Sequence, residues 1–148
     1  MKFQKITPYL WFNDQAQEAA ALYCSIFDNS EITSDGGQIV EFTLGGTNFI
    51  ALNGGPQFQF NEAVSFYVLC EDQGEVDHLW NHLTADGGRE GRCGWCKDKY
   101  GVSWQIVPKR FTEMMRLGTS EQIEKVVAAM MAMNKMSIEA FEQAYEGE

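Results

Sequence analysis

ITPYLWFNDQ, residues 6–15, and VSFYVLCEDQ, residues 64–73, are two settings of one phrase. Superposed, they bring Thr7 onto Ser65, Tyr9 onto Tyr67, Asp14 onto Asp72 and Gln15 onto Gln73. Each starts as a strand-like apolar run and ends at an acid that opens a helical stretch. Pro8 has no N–H to give to a ladder, so it places the start or the edge of the first strand there. In 14–27, Ala16, Ala20, Tyr23 and Phe27 recur at helical spacing, with Asn13 or Asp14 available as a cap. In 74–87 the stripe is Val76, Leu79, Trp80 and Leu83, and the pattern ends at Gly87-Gly88.

The phrases that follow repeat too. SEIT (30–33), GQIVEFTL (37–44) and TNFIALN (47–53) are short strands, parted by Gly36-Gly37 and Gly45-Gly46 at turns that need positive φ. After the second helix come GREGRCGW (88–95), a strand region around Cys96, and VSWQIVP (102–108). Strand, helix and three strands, twice over, imply an internal duplication in an α+β chain. The modules span 5–55 and 62–109 of one domain, 1–112. Past it the chain turns helical. FTEMMRLG (111–118) stops at Gly118. SEQIEKVVAAMMAMNK (120–135), capped by Thr119 or Ser120, turns Ile123, Val126, Val127, Met130 and Met131 to one side. SIEAFEQAYEG (137–147), capped by Ser137, turns Ile138, Phe141 and Tyr145 inward. This extension, 113–148, is expected to pack on the same domain or on a dimer partner.

A chain of 148 residues, 45% hydrophobic and 22% charged, has the composition of a soluble globular protein. No apolar run nears the roughly 20 residues needed to span a bilayer. The opening MKFQKITPYLWF lacks the apolar core of a signal peptide, so the cytoplasm is the expected compartment. A net charge of -10 repels phosphate backbones and anionic lipid, which argues against nucleic acid and membrane as partners. Lys97, Lys99, Lys109 and Arg110 are the best candidate for a local basic patch, suited to a solvated rim or to an anionic ligand at a pocket mouth.

Cys93 and Cys96 form a C-x-x-C, the spacing of redox dithiols and zinc clips. A redox pair needs a helix N-terminus to lower the first thiol's pKa. Here Lys-Asp-Lys-Tyr-Gly, a turn, and then a strand follow instead, so the pair is read as incidental. Cys24 and Cys70 are read as small buried hydrophobes. His78 and His82 stand at i and i+4, a zinc-ligand spacing, but on the side opposite the apolar stripe and without an obvious third ligand.

Two βαβββ modules in about this length resemble the vicinal oxygen chelate superfamily, which includes glyoxalase I, extradiol dioxygenases and bleomycin-resistance proteins. ITPYLWFNDQAQEAAALYCSIF, FIALNGGPQFQFNEAVSFYV and GWCKDKYGVSWQIVP together resemble the PhnB-like family, which carries the name 3-demethylubiquinone-9 3-methyltransferase. The resemblance implies a glyoxalase-like curved mixed sheet whose concave face makes the site, and a homodimer. The superfamily's metal ligands sit on the first and last strands of each module. Carried over by motif, those positions are Thr7, Ser65, Gln105 and Ala51, with Asn53 two residues beyond Ala51. Hydroxyls, an amide and a methyl make a poor set for a divalent cation, so neither a metal nor a cofactor is expected. ITPYLWFND also runs into its helix without the glycine-rich loop that an S-adenosylmethionine enzyme of the common class uses.

The expected cleft is therefore lined by Thr7, Tyr9, Trp11, Ala51, Asn53, Ser65, Tyr67 and Gln105, and suits an organic ligand of modest polarity. The first functional reading is a metal-independent binding protein for an aromatic or apolar metabolite. The alternative is a metal-free enzyme, with Tyr9, Tyr67 or Glu41 as acid or base and Gln105 or Asn53 polarising a carbonyl.

Overall fold

Both repeated phrases become an edge strand followed by a helix. The computed structural model describes residues 3–147. In the first module β1 (Tyr9–Phe12) leads to α1 (Ala16–Ile26), then β2 (Glu31–Asp35), β3 (Ile39–Leu44) and β4 (Thr47–Asn53). The second has β5 (Ser65–Cys70), α2 (Gln73–Leu83), β6 (Arg89–Glu90), β7 (Trp95–Lys97) and β8 (Ser103–Pro108). Hydrogen bonding gives each module its own four-stranded sheet, in the orders β1-β4-β3-β2 and β5-β8-β7-β6. In both, the first and last strands run parallel and the remaining pairs antiparallel. The two modules thus share one topology, a glyoxalase-like α+β fold to which helices are added at the C-terminal side. Within the described residues the chain divides into two compact units, the break falling between Phe60 and Asn61.

In the first unit, Leu10, Phe12, Val40, Phe42, Leu44, Phe49 and Ala51 are buried, as are Ala16, Ala19, Ala20, Tyr23 and Ile26 of α1. The alanine side of α1 lets the helix sit close on β3 and β4. The ring centroids of Tyr23 and Phe42 are 6.3 Å apart, and Phe42 stacks on Phe49 at 5.4 Å. Pro8 lies just ahead of β1, where its carbonyl accepts from the Ile50 N–H at 3.0 Å. Gly37, Gly45 and Gly46 take the positive φ that the turns require.

The α1 cap differs from expectation. Neither Asn13 nor Asp14 caps the helix. Asn53 Oδ1 accepts from the Ala16 N–H at 2.8 Å, so the cap comes from the end of β4. In α2 the acid does cap, Asp72 Oδ1 accepting from the Glu75 N–H at 2.9 Å.

Three helices follow β8: α3 (Lys109–Leu117), α4 (Ser120–Met131) and α5 (Ile138–Glu146). Thr119 and Gln122 form a capping box on α4, and Ser137 caps α5. These helices belong to the second unit, because Val107 of β8 joins Met114, Val126, Met136 and Phe141 in one buried cluster. Gln73 fastens the arrangement. Its amide donates to the Met136 carbonyl at 3.0 Å and accepts from the Ile138 N–H at 2.8 Å. Of the stripe expected on α4, Val126 is fully buried and Met131 is exposed. Among the described residues no helix is long and apolar enough to cross a membrane.

Candidate functional site

Register decides which side chains meet. In the first unit Tyr9 pairs with Ile50 and Trp11 with Leu52, while Ile50 pairs onward with Glu41. These residues therefore share the face turned away from α1. Thr7 precedes β1 and is half-buried. Ala51 pairs with Leu10 and Val40, all on the helix side, and is 0% exposed. Asn53 shares that side, and its amide is spent on structure, donating to Gln17 Oε1 at 2.9 Å and to the Gly37 carbonyl at 3.2 Å. The structure thus separates Ala51 and Asn53 from Tyr9 and Trp11. The strand position opposite Tyr9 is Ile50, one residue earlier than the motif alignment placed it, and one residue reverses the face.

Trp11 is held by its own unit. Its indole N–H donates to the Gly55 carbonyl at 2.9 Å, and Phe58 meets its ring edge-on at 5.0 Å. A Cβ on Gly54 would strike the indole, so glycine is required where the ring lies flat against the chain. Glu41 is exposed on this face.

The second unit presents a more ordered surface. On the face away from α2, Ser65, Ser103, Lys97 and Arg89 stand in one cross-strand row over β5, β8, β7 and β6. The next row is Tyr67, Gln105 and Trp95. Gln105 Nε2 donates to Ser65 Oγ at 2.9 Å, so the two residues expected to meet do so. Tyr67 and Leu69, 55% and 50% exposed, flank them. Beside this grid lies a pocket of about 330 Å³, lined by Glu62, Arg89, Glu90, Trp95, Lys97 and Ser103 among others. Lys97 Nζ pairs with Glu62, and that hydrogen bond, together with the ammonium charge, holds the Glu62 carboxyl below the usual carboxylate range. Glu90 Oε1 accepts from the Trp80 indole N–H at 3.0 Å. The sequence does not mark the lining of this pocket as a group. The signal available was the pair Arg89 and Lys97, which one hairpin register sets side by side.

The donor set does not suit a divalent metal. Ser65 and Gln105 are neutral, and among the described residues no group of three His, Cys, Asp or Glu could hold an ion. His78 and His82 are both exposed, as their place opposite the apolar stripe implied, and His82 Nδ1 already lies 2.8 Å from the His78 carbonyl.

Cys93 and Cys96 are both free thiols in unlike settings. Cys93 sits in a turn at φ 58, its Sγ 3.8 Å from Met131 Sδ. Cys96 is buried in β7, and burial, then the charges of Asp98 and Glu90, push its thiol up to about 12. Cys70 is likewise pushed up to about 12, by burial first and then by Glu75 and Asp72. Both ordinarily ionise at 9.0. Above that value the unfolded chain releases protons that the folded chain keeps. The stability tied to these thiols is therefore full below pH 9.0 and falls as pH rises toward about 12. Iodoacetamide at about pH 8 should modify Cys93 well before Cys70 or Cys96, because only an accessible thiolate reacts. Peptide mapping that finds Cys96 labelled as fast as Cys93 would contradict the setting described.

Comparison with known proteins agrees with the topology. The family model described as 3-demethylubiquinone-9 3-methyltransferase matches residues 4–107. A PhnB protein of Bacillus cereus is 35% identical over 71% of this chain and 99% of its own, with a TM-score of 0.65. Protein PA1353 of Pseudomonas aeruginosa, at 20% identity over 72% of this chain and 98% of its own, superposes with a TM-score of 0.59. A glyoxalase-related enzyme of Fulvimarina pelagi, at 15% identity, covers 71% of this chain and 88% of its own with a TM-score of 0.51, a likeness of fold alone. No curated protein matches. Two like modules, their shared strand order and a family match running from before β1 through β8 lead to one assignment: the chain belongs to the PhnB-like 3-demethylubiquinone-9 3-methyltransferase family, with the glyoxalase-like fold.

Proposed function

We propose that this chain is a metal-independent binding protein for a small aromatic or otherwise apolar metabolite, taken up on the face of β5, β8 and β7 away from α2. One observation carries the reading. The strand positions where the superfamily resemblance puts metal ligands hold Ser65 and Gln105, bonded to each other at 2.9 Å, beside the open Tyr67 and Leu69. Large apolar side chains around a neutral donor–acceptor pair suit a flat organic molecule with one polar group. Tyr9 lies on the corresponding open face of the first unit, with Thr7 just ahead of it.

The test is a melting screen over a panel of small metabolites, with metal content measured on the same preparation. The expected result is a ligand that raises Tm with no stoichiometric metal present. Gln105→Ala should weaken that ligand about tenfold, the worth of one hydrogen bond of about 1.4 kcal/mol. A hit bound equally well by Gln105→Ala and by Tyr67→Ala would refute the assignment to this face.

A further inference from the structure

The second unit's face carries one group that nothing in the fold explains. Ser103 is 2% exposed, and its hydroxyl has no hydrogen-bond partner, yet it lines the pocket. A buried hydroxyl without a partner costs about 1–3 kcal/mol, so it calls for an acceptor or donor supplied from outside. Its neighbours indicate which. Next to it in the cross-strand row is Lys97, and next to Lys97 is Arg89. Arg89 forms no ion pair among the described residues. The two carboxylates on the lining already have duties, Glu62 on Lys97 and Glu90 on the Trp80 indole. The groups left over are therefore donors: a guanidinium fork, a hydroxyl, and the remaining hydrogens of an ammonium.

We propose that this pocket holds the carboxylate of a small organic acid, received by Ser103, Lys97 and Arg89, with the acid's flat body lying along Trp95 and Gln105. The inference rests on the binding reading above and narrows its ligand to an anion. The geometry matches. Neighbouring strands stand about 4.8 Å apart, so the row from Ser103 to Arg89 is about 9.6 Å wide at the backbone, and the long Lys97 and Arg89 side chains have the reach to converge on one carboxylate beside Ser103. Successive residues on one face of a strand are separated by about 6.7 Å, which sets Trp95 and Gln105 one ring length from the donor row. A volume of about 330 Å³ admits a molecule the size of a substituted benzoate. A guanidinium takes a carboxylate with two parallel bonds, and its preference for that group over a neutral amide is large. Glu62 now occupies Lys97, and its carboxylate opposes an incoming one.

The experiment compares benzoate, benzamide and benzylamine, three probes of nearly one shape and different charge, by calorimetry and by chemical-shift changes in the full chain. Benzoate should bind at least about tenfold more tightly than benzamide, and benzylamine least. Arg89→Gln should weaken benzoate about tenfold while leaving benzamide within about twofold. Ser103→Ala should weaken benzoate several-fold without lowering Tm, since it removes an unsatisfied hydroxyl. Glu62→Gln should tighten benzoate, an effect that damage to the fold does not produce. If benzamide or benzylamine equals benzoate, the anion assignment falls and the binding reading stands. Benzoate binding unmoved by Arg89→Gln, Ser103→Ala and Glu62→Gln also overturns the inference. If none of the probes binds at millimolar concentration while another ligand from the panel binds in a Gln105-dependent way, the organic-acid pocket is likewise overturned. If nothing binds at all, both readings fall.

Discussion

Asp98→Ala is expected to destabilise the protein by about 3–5 kcal/mol, the largest loss at any polar position. The side chain is 2% exposed and works as a three-way acceptor. Its Oδ1 takes the backbone N–H of Tyr100 at 2.9 Å and of Val102 at 3.0 Å, and its Oδ2 takes the indole N–H of Trp104 at 2.9 Å. The same turn is closed along the backbone, where the Asp98 N–H donates to the Val102 carbonyl at 2.9 Å. Truncation leaves three donors in the interior with their acceptor gone, and hydrogen bonds to a charged group are worth about 1.5–3 kcal/mol each. Thermal melting should show Tm lower by about 10 °C. Asp98→Asn keeps one oxygen and should lose less. A Tm for Asp98→Ala within about 2 °C of the parent would mean that the turn does not depend on the carboxylate. Trp104 lies between Ser103 and Gln105 on β8, so the mutation should also weaken any ligand of that face.

Phe141→Ala is expected to cost about 3–5 kcal/mol for a different reason, a cavity. Phe141 is 0% exposed, its ring centroid 5.0 Å from that of Phe111, in the cluster that includes Val107 of β8. The surrounding side chains come from α3, α4 and β8, and a gap among them closes only in part. Because the cluster reaches the sheet, amide hydrogen exchange should accelerate in β8 as well as in α5. If exchange rose in α5 alone, the helices would be an appendage whose packing does not support the sheet.

Much of the fold was legible because the duplication supplies each module with the other's testimony. Alternating strands, two helices with clear apolar stripes and glycines at turns left one order of elements. Four details were not legible, each for a physical reason. Asp98 stands between Lys97 and Lys99 and reads as a solvated turn, yet the turn points its carboxylate inward. An aspartate with a glycine three residues on, as at Gly101, was the available sign. Asn53 reads as a cleft residue from sequence and is instead the cap of α1, since a cap can come from a distant strand as well as from the preceding residue. The motif carry-over puts Ala51, in FIALN, on the ligand face. The pairings Tyr9 with Ile50 and Tyr67 with Gln105 show that Ile50 is the true counterpart of Gln105. In a strand with apolar residues on both faces, period-two counting has no internal reference, and a slip of one reverses every side chain. The Ser65–Gln105 contact was legible because both positions were anchored by long motifs. The row Ser103, Lys97, Arg89 was not, since it needs the register of a two-residue strand, β6, which sequence alone barely marks.

The most direct test of the central claim, that an organic ligand is held on the second module's open face without a metal, is binding before and after chelation. Metal content is determined by mass spectrometry on purified protein, and the affinity for a ligand that binds there is measured with and without EDTA. The expected result is no stoichiometric divalent metal and a Kd that chelation leaves unchanged. One equivalent of zinc, nickel or iron, with binding abolished by EDTA and metal content lost in Ser65→Ala and Gln105→Ala, would contradict it.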